Sequence, residues 1–378
     1  MKKALLISES TVYKDGNGKI VARGGGEVYM HNLAKLLLKL GVEPTVFGIK
    51  EFGEQNSEKY IDGILYKRCE VRSRKSFSLF KYLFAGIRES KKYDFVFMNQ
   101  FVPHLILPFI KRKKKIAIIH DVYKEEGLGF WINQYGFFTG FIGWLVEKFQ
   151  LFFDKKYSDV IITVSEESKR KIISALGSKI ARKIIVSPSI VYKRDDLIGT
   201  KKENFILFIG RFVDYKHPEH VLHVLKKLKS FEGKFKAVFV APRIVKKTLR
   251  FFEKTMKDLG IGNGDVFILQ NCGNDDVAKL IAKAKLLVHP SCVEGQGIIM
   301  LEALSLGTPI IAYNLPAYEG MLLDGENCEL VKKDDFGKLA DSALKILNNY
   351  SKYQDNCYIS LEEFSEEKAL EILKGIIE

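Results

Sequence analysis

A chain of 378 residues exceeds one ordinary hydrophobic core, so two domains are expected, and its 47% apolar and 28% charged residues are proportions of a soluble globular protein. The formal net charge of +14 is unevenly divided: residues 1–193 hold 34 Lys and Arg against 19 Asp and Glu, whereas residues 194–378 hold 26 against 27. Something anionic is therefore expected to approach the N-terminal half; a basic nucleic-acid-binding protein is the alternative that charge alone suggests, but no RNA or DNA motif accompanies it and no nucleic-acid partner is expected.

Met1-Lys2-Lys3 followed by Ala4–Ile7 opens like a signal peptide, yet the apolar run stops at Ser8-Glu9 and reads as a first buried strand. A long polar loop from Ser10 to Ala22 leads to Arg23-Gly24-Gly25-Gly26-Glu27 and a helical pattern over Val28–Leu40. Buried strands are predicted at Phe95–Met98 and at Ile116–Ile119, the latter ending in His120-Asp121. The apolar stretch Leu128 to Phe153 is interrupted by Asn133, Gln134, Glu147, Lys148 and Gln150, short of the roughly 20 apolar residues of a spanning helix. After a strand at Val160–Val164, charged and glycine residues near Val191–Lys202 mark the domain boundary, and a fresh strand at Phe205–Ile209 runs into Gly210-Arg211. Helical spacing at Val221–Leu228 and Val277–Ala284 then alternates with strands at Ala237–Val240, Val266–Leu269, Leu286–His289 and Pro309–Ala312. Such alternation means βαβ units and parallel sheets with helices on both faces, an α/β chain. The five cysteines, Cys69, Cys272, Cys292, Cys328 and Cys357, are scattered without a C-x-x-C pair. That argues against a disulfide framework and a zinc site, suits a reducing compartment, and leads to an expected cytoplasmic location.

The densest motif lies at 290–312, Pro-Ser-Cys-Val-Glu-Gly-Gln-Gly-Ile-Ile-Met-Leu-Glu-Ala-Leu-Ser-Leu-Gly-Thr-Pro-Ile-Ile-Ala. A strand runs into a loop with Gly295 and Gly297 and then into a helix that begins near Ile298 and contains Glu302. Small residues at a helix head leave backbone N–H groups free for an anion. This string resembles the E-x7-E signature of family 4 of the retaining GT-B glycosyltransferases, E-G-x-G-x-x-x-x-E-A followed by G-x-P; Glu294, Gly295, Gly297, Glu302, Ala303, Gly307 and Pro309 match in register. Gln296 stands where the family usually has an aromatic residue. Upstream, Gly210-Arg211 through Lys216 resembles the family's G-R-x-x-x-x-K segment, and Arg23 to Glu27 resembles its N-terminal glycine loop. His120 falls where the family commonly has a histidine close to the transferred sugar. Weaker matches are Ile162–Glu166 and the tail Phe364-Ser365-Glu366-Glu367. Ser187-Pro188-Ser189-Ile190, Val240-Ala241-Pro242-Arg243 and Asn327-Cys328 depart from the family pattern around the nucleotide pocket.

The resemblance implies a GT-B fold, two Rossmann-like domains facing each other across a cleft: residues 1–193 with a returning helix at about 362–378, and residues 194–361. It also implies a hexosyltransferase that retains anomeric configuration and takes no metal or other cofactor; no D-x-D sequence is present. Arg211 and Lys216 would then grip the donor diphosphate, with Gly24, Gly25, Gly295, Gly297 and Ile298 lining the donor. By the same resemblance Glu302 holds the ribose, Glu294 contacts sugar hydroxyls beside His120 at the reacting centre, and Glu27 lies on the acceptor side. Expected partners are a nucleotide-sugar donor and a glycan or lipid-linked acceptor. Lys111–Lys115, the aromatic-rich Phe130–Phe153, and Phe77–Phe84 behind Arg72, Arg74 and Lys75 add an expected peripheral contact with an anionic plasma membrane at its inner face. A GT-B phosphorylase or sugar-nucleotide epimerase would share the architecture and stands as the alternative.

Overall fold

The computed structural model describes all residues except 16, 17, 23, 51–57, 71–77, 112 and 124–126. The N-terminal half forms strands β1 (Lys3–Ile7), β2 (Tyr13–Lys14), β3 (Ile20–Val21), β4 (Glu43–Ile49), β5 (Glu58–Ile61), β6 (Ile64–Cys69), β7 (Phe95–Asn99), β8 (Lys114–Ile119), β9 (Val160–Thr163) and β10 (Ile184–Val186). Its helices are α1 (Gly25–Lys39), α2 (Ser78–Ser90), α3 (Gly127–Tyr135), α4 (Phe137–Tyr157) and α5 (Glu166–Leu176). The C-terminal half forms β11 (Glu203–Ile209), β12 (Lys236–Val240), β13 (Val266–Leu269), β14 (Ala284–His289), β15 (Ile310–Tyr313) and β16 (Cys328–Val331). Helices α6 (His220–Glu232), α7 (Lys246–Asp258), α8 (Asn274–Lys283), α9 (Ile298–Ser305), α10 (Phe336–Asn348), α11 (Tyr350–Asp355) and α12 (Glu366–Ile377) complete it.

Two compact units result. The first comprises Met1–Asp15, Gly24–Ser189 and Glu366–Glu378, the second Ile190–Ser365 with the described part of Gly16–Arg23. In the first, eight strands pair in the order β10-β9-β8-β7-β1-β4-β6-β5. Every pairing is parallel except β5 with β6 at the edge. That hairpin turns at Asp62 and Gly63, with φ of 50° and 77°, the Asp-Gly chemistry a two-residue turn favours. The central strands are continuous apolar runs because a parallel strand is covered on both faces; Phe95–Asn99 is buried throughout. The last helix, α12, packs on α1: Glu366 pairs with Lys39, and Lys2 Nζ donates to Ile377 O at 3.1 Å.

The second unit holds an all-parallel sheet, β13-β12-β11-β14-β15-β16. Side chains alternate along β11, so Ile206 and Phe208 join a core with α6 and α10, while Phe205 and Leu207 join the opposite core with α8 and α9. The sheet is thus sandwiched between two helical layers. Residues assigned by sequence to the first domain also pack here: Lys19 Nζ meets Asp276 at 2.9 Å, and Ala22 N donates to Asn274 Oδ1 at 3.2 Å.

α3 and α4 form a tight hairpin around Gly136, whose φ is 79°. A β-carbon on Gly140 would lie 2.4 Å from Trp131 O, and one on Gly143 would lie 2.7 Å from the Trp131 ring. Only glycine permits that approach. Among the described residues no helix is long and apolar enough to cross a membrane.

Candidate active site

In the second unit the chain runs from β11 outward to β12 and β13, then returns to the other side of β11 as β14. The point where such a winding reverses leaves a crevice at the carboxyl ends of the strands, where open α/β sheets bind ligands. The sequence motifs occupy that crevice. Arg211 and Lys216 follow β11, and His289, Glu294 and Gly297 end or follow β14. The two loops are joined where Cys292 N donates to Tyr215 O at 2.8 Å.

Lys216 forms an ion pair with Glu294, and His289 Nε2 donates to the same oxygen, Oε1, at 2.6 Å. Among the described residues both hydrogen bonds to Glu294 fall on Oε1 and leave Oε2 free. Burial opposes ionisation of this carboxyl, but Lys216 and His289 outweigh it and hold it well below the usual range. His289 is itself pushed down by burial, partly offset by Glu294, and so is a neutral donor to the carboxylate. Arg211 donates to the Tyr215 hydroxyl at 2.6 Å, which sets its side chain beside the loop that carries Lys216.

Glu302 behaves in the opposite way. It lies in the second turn of α9 and forms no ion pair among the described residues, and burial alone pushes its carboxyl up to about 7. At the head of α9, Gly297 caps the helix at φ 86° with no side-chain hydrogen bond. A β-carbon there would meet Met300 Cε at 2.2 Å. The N–H groups that open α9 therefore face an approaching anion without a competing cap. Tyr318 lies alongside, 3.5 Å from the position of that β-carbon, and its buried hydroxyl has no hydrogen-bond partner among the described residues.

In the first unit the winding reverses between β1 and β7, and polar groups again collect at the carboxyl edge. Asn99, fully buried at the end of β7, donates to Ser8 Oγ at 3.2 Å and Gly26 O at 3.3 Å. Its Oδ1 accepts from His120 Nε2 at 2.7 Å, an arrangement that leaves Nδ1 as the basic nitrogen. Burial, with His104 adding to it, pushes His120 down to about 4, so the imidazole is neutral at pH 7. Gly24 is the uncapped N-cap of α1, Gly25 its first residue, and Glu27 is buried in its first turn at 6% exposure.

The predicted residues thus fall into two groups, each gathered at one carboxyl edge. Arg211, Lys216, Glu294, Gly295, Gly297, Ile298 and Glu302 belong to the second unit, and Gly24, Gly25, Glu27 and His120 to the first. Arg23 lies outside the described residues. Sequence reasoning missed Asn99, His289 and Tyr318. The first two had a signal, a polar residue closing an apolar strand and so placed at the edge where ligands bind. Tyr318 had none.

The family profile of glycosyl transferases group 1 matches residues 193–360, and that of glycosyltransferase family 4 matches residues 23–191. An uncharacterized glycosyltransferase of Methanocaldococcus jannaschii is 26% identical over 299 residues, 69% of this chain and 78% of the relative. The lipopolysaccharide glucosyltransferase WaaG of Escherichia coli is 28% identical over 138 residues, only 36% of this chain and 35% of the relative. Among solved structures, Anabaena HepE in complex with UDP and glucose superposes with a TM-score of 0.76 at 16% identity, covering 100% of this chain and 99% of HepE. The two profiles together take in most of both units, and the fold they predict is the one observed: the chain belongs to family 4 of the GT-B glycosyltransferases.

Proposed function

We propose that this glycosyltransferase moves a sugar from a nucleoside-diphosphate sugar, with retention of configuration and without a metal, onto a lipid-linked or cell-surface glycan at the inner face of a plasma membrane. The observation that carries the donor half is the convergence at the β11–β14 crevice of Arg211, Lys216 and the uncapped head of α9 with two carboxyls of opposite character. As the sugar–phosphate bond breaks, negative charge grows on the leaving diphosphate. A guanidinium, an ammonium and a helix N-terminus fixed beside it stabilise that charge more in the transition state than in the ground state. Glu302, ionised when sugar hydroxyls donate to it, holds the ribose. Glu294 keeps Oε1 for Lys216 and His289 and offers Oε2 to hydroxyls of the transferred sugar. The acceptor attacks from the side that the leaving group vacates, which requires close positioning. His120, neutral at pH 7, positions a hydroxyl and is too weakly basic to be the main proton acceptor.

UDP is the first nucleotide to test, since HepE was crystallised with UDP and with UDP-glucose. Thermal melting with UDP, GDP, ADP, CMP and NAD should show stabilisation by one nucleoside diphosphate, lost in Arg211→Ala, because binding to the native state raises its stability. Stabilisation by NAD alone, or by none of the five, overturns the donor assignment.

The acceptor half is supported by one surface of the first unit. α2 and α4 both touch the 3-10 segment Val102–Phe109, and Phe80, Phe84, Phe109, Phe138, Phe149 and Phe152 on these elements are 49–81% exposed to solvent. Lys148 lies 3.7 Å over the Trp144 ring, and Lys155 and Lys156 occupy the last turn of α4. Rings that enter the acyl boundary with lysines reaching back to phosphates are the pattern of reversible docking on anionic lipid. Arg72, Arg74, Lys75, Phe77 and Arg112 lie outside the described residues.

A further inference from the structure

The loop that ends in Lys216 continues into a cluster that the proposed donor chemistry leaves unused. His217 adopts a left-handed backbone, φ 44° and ψ 54°, which a residue with a β-carbon keeps only where its surroundings hold it. Its Nδ1 bonds the buried Glu219 carboxylate at 2.9 Å, and its ring stacks on His220 with centroids 4.5 Å apart. Its Nε2 lies 3.8 Å from Asp334 Oδ1, the same oxygen that lies 3.7 Å from Cys292 Sγ. The ligand atoms of His217, Cys292 and Asp334 all fall within 4.8 Å of one another.

We propose that His217, Cys292 and Asp334 form a binding site for zinc or a similar divalent cation, with a fourth position open to water. A tetrahedral zinc ion with ordinary bond lengths holds its nitrogen, sulfur and oxygen donors about 3.3–3.6 Å apart, so the two separations from Asp334 Oδ1 close by a few tenths of an ångström, and that between His217 and Cys292, within 4.8 Å, by at most about 1 Å. Imidazole, thiolate and carboxylate together select a borderline-soft ion; magnesium and calcium take oxygen ligands. The second layer is already built. A ligating histidine characteristically donates its other ring N–H to a carboxylate, and Glu219 receives Nδ1 here. Binding releases the Cys292 thiol proton, and any proton on Nε2, to solvent.

Such an ion joins three loops, those after β11, β14 and β16, at positions too far apart in sequence for spacing to reveal. It sits one residue from Lys216 and two from Glu294, so its role is to fix the loops that carry this ion pair rather than to polarise the sugar. The site rests on its own ligands and does not depend on the donor assignment.

Cobalt(II), titrated into the intact chain, tests the site. One equivalent should bind with a thiolate-to-cobalt charge-transfer band in the near ultraviolet, displaced by zinc. Cys292→Ser should abolish the band, Cys272→Ser should keep it, and Glu219→Gln should weaken binding about tenfold. His217→Gly suits the left-handed backbone and should melt at or above the metal-free wild type, yet gain nothing from zinc that stabilises the wild type. Absence of the band, its survival in Cys292→Ser, or an equal zinc response in His217→Gly would overturn the proposal.

Discussion

Glu294 and Glu302 share one loop–helix motif, yet their surroundings drive their ionisation in opposite directions. Lys216 and His289 hold Glu294 ionised against the cost of its burial, whereas Glu302 has burial and no compensating cation among the described residues. The Glu302 carboxyl, raised from 4.5 to about 7 on folding, favours the folded state fully below the unfolded value. That contribution is lost as pH rises through 7. Glu302→Gln, neutral at every pH, should therefore nearly match wild type in urea unfolding near pH 4.5 and exceed it by about 3 kcal/mol at pH 8. Donor hydroxyls that bond the ionised carboxylate should make nucleotide affinity in the wild type rise with pH through 7, a dependence absent in Glu302→Gln. An affinity that ignores both pH and the substitution would remove Glu302 from the ribose. Both glutamates were legible because the fixed glycines give their spacing a strand–loop–helix context. Their contrasting ionisation was not, since it depends on His289 and on tertiary burial that no local pattern encodes.

α9 shows how much a short element owes to its first residues. Its eight residues carry no charged side chain in the first turn, and the anion-attracting end is created by the Gly297 cap. Gly297→Ala must strain the backbone at φ 86° and displace Met300. We expect a loss of about 1–3 kcal/mol in unfolding and a fall in nucleotide affinity larger than that of an exposed alanine substitution elsewhere on the helix, both read by denaturant and ligand titrations. The strand–helix alternation and the glycine-opened helix were legible because parallel strands are uniformly apolar and amphipathic helices are periodic. The break between α3 and α4 was not. Phe130 to Phe153 is rich in aromatics along its whole length, and the contact of Gly140 and Gly143 with Trp131 shows that two helices fold against one another and turn a row of rings outward.

For the molecule as a whole, the positive excess and the exposed rings of α2 and α4 belong to the same unit. Sedimentation with vesicles should show binding that requires anionic lipid and weakens with salt, since roughly 1 kcal/mol per surface cation is screened within a Debye length. Phe138→Ser with Phe149→Ser should weaken it at least tenfold while leaving nucleotide-induced stabilisation intact. Binding indifferent to lipid charge and to both substitutions would leave the aromatic face without a membrane role. The return of α12 to α1 has a separate consequence, for the order of events at the ribosome. The first unit is interrupted after Ser189 and resumes only at Glu366, an interval of roughly 10–40 s at ordinary elongation rates. Throughout that time the surface of α1 that packs against α12 stays uncovered, while the unit synthesised later is contiguous enough to finish first. The emerging polypeptide thus reverses the usual N-to-C sequence of maturation, and chaperones should occupy the early half of nascent chains stalled at any point between Ser189 and Glu366.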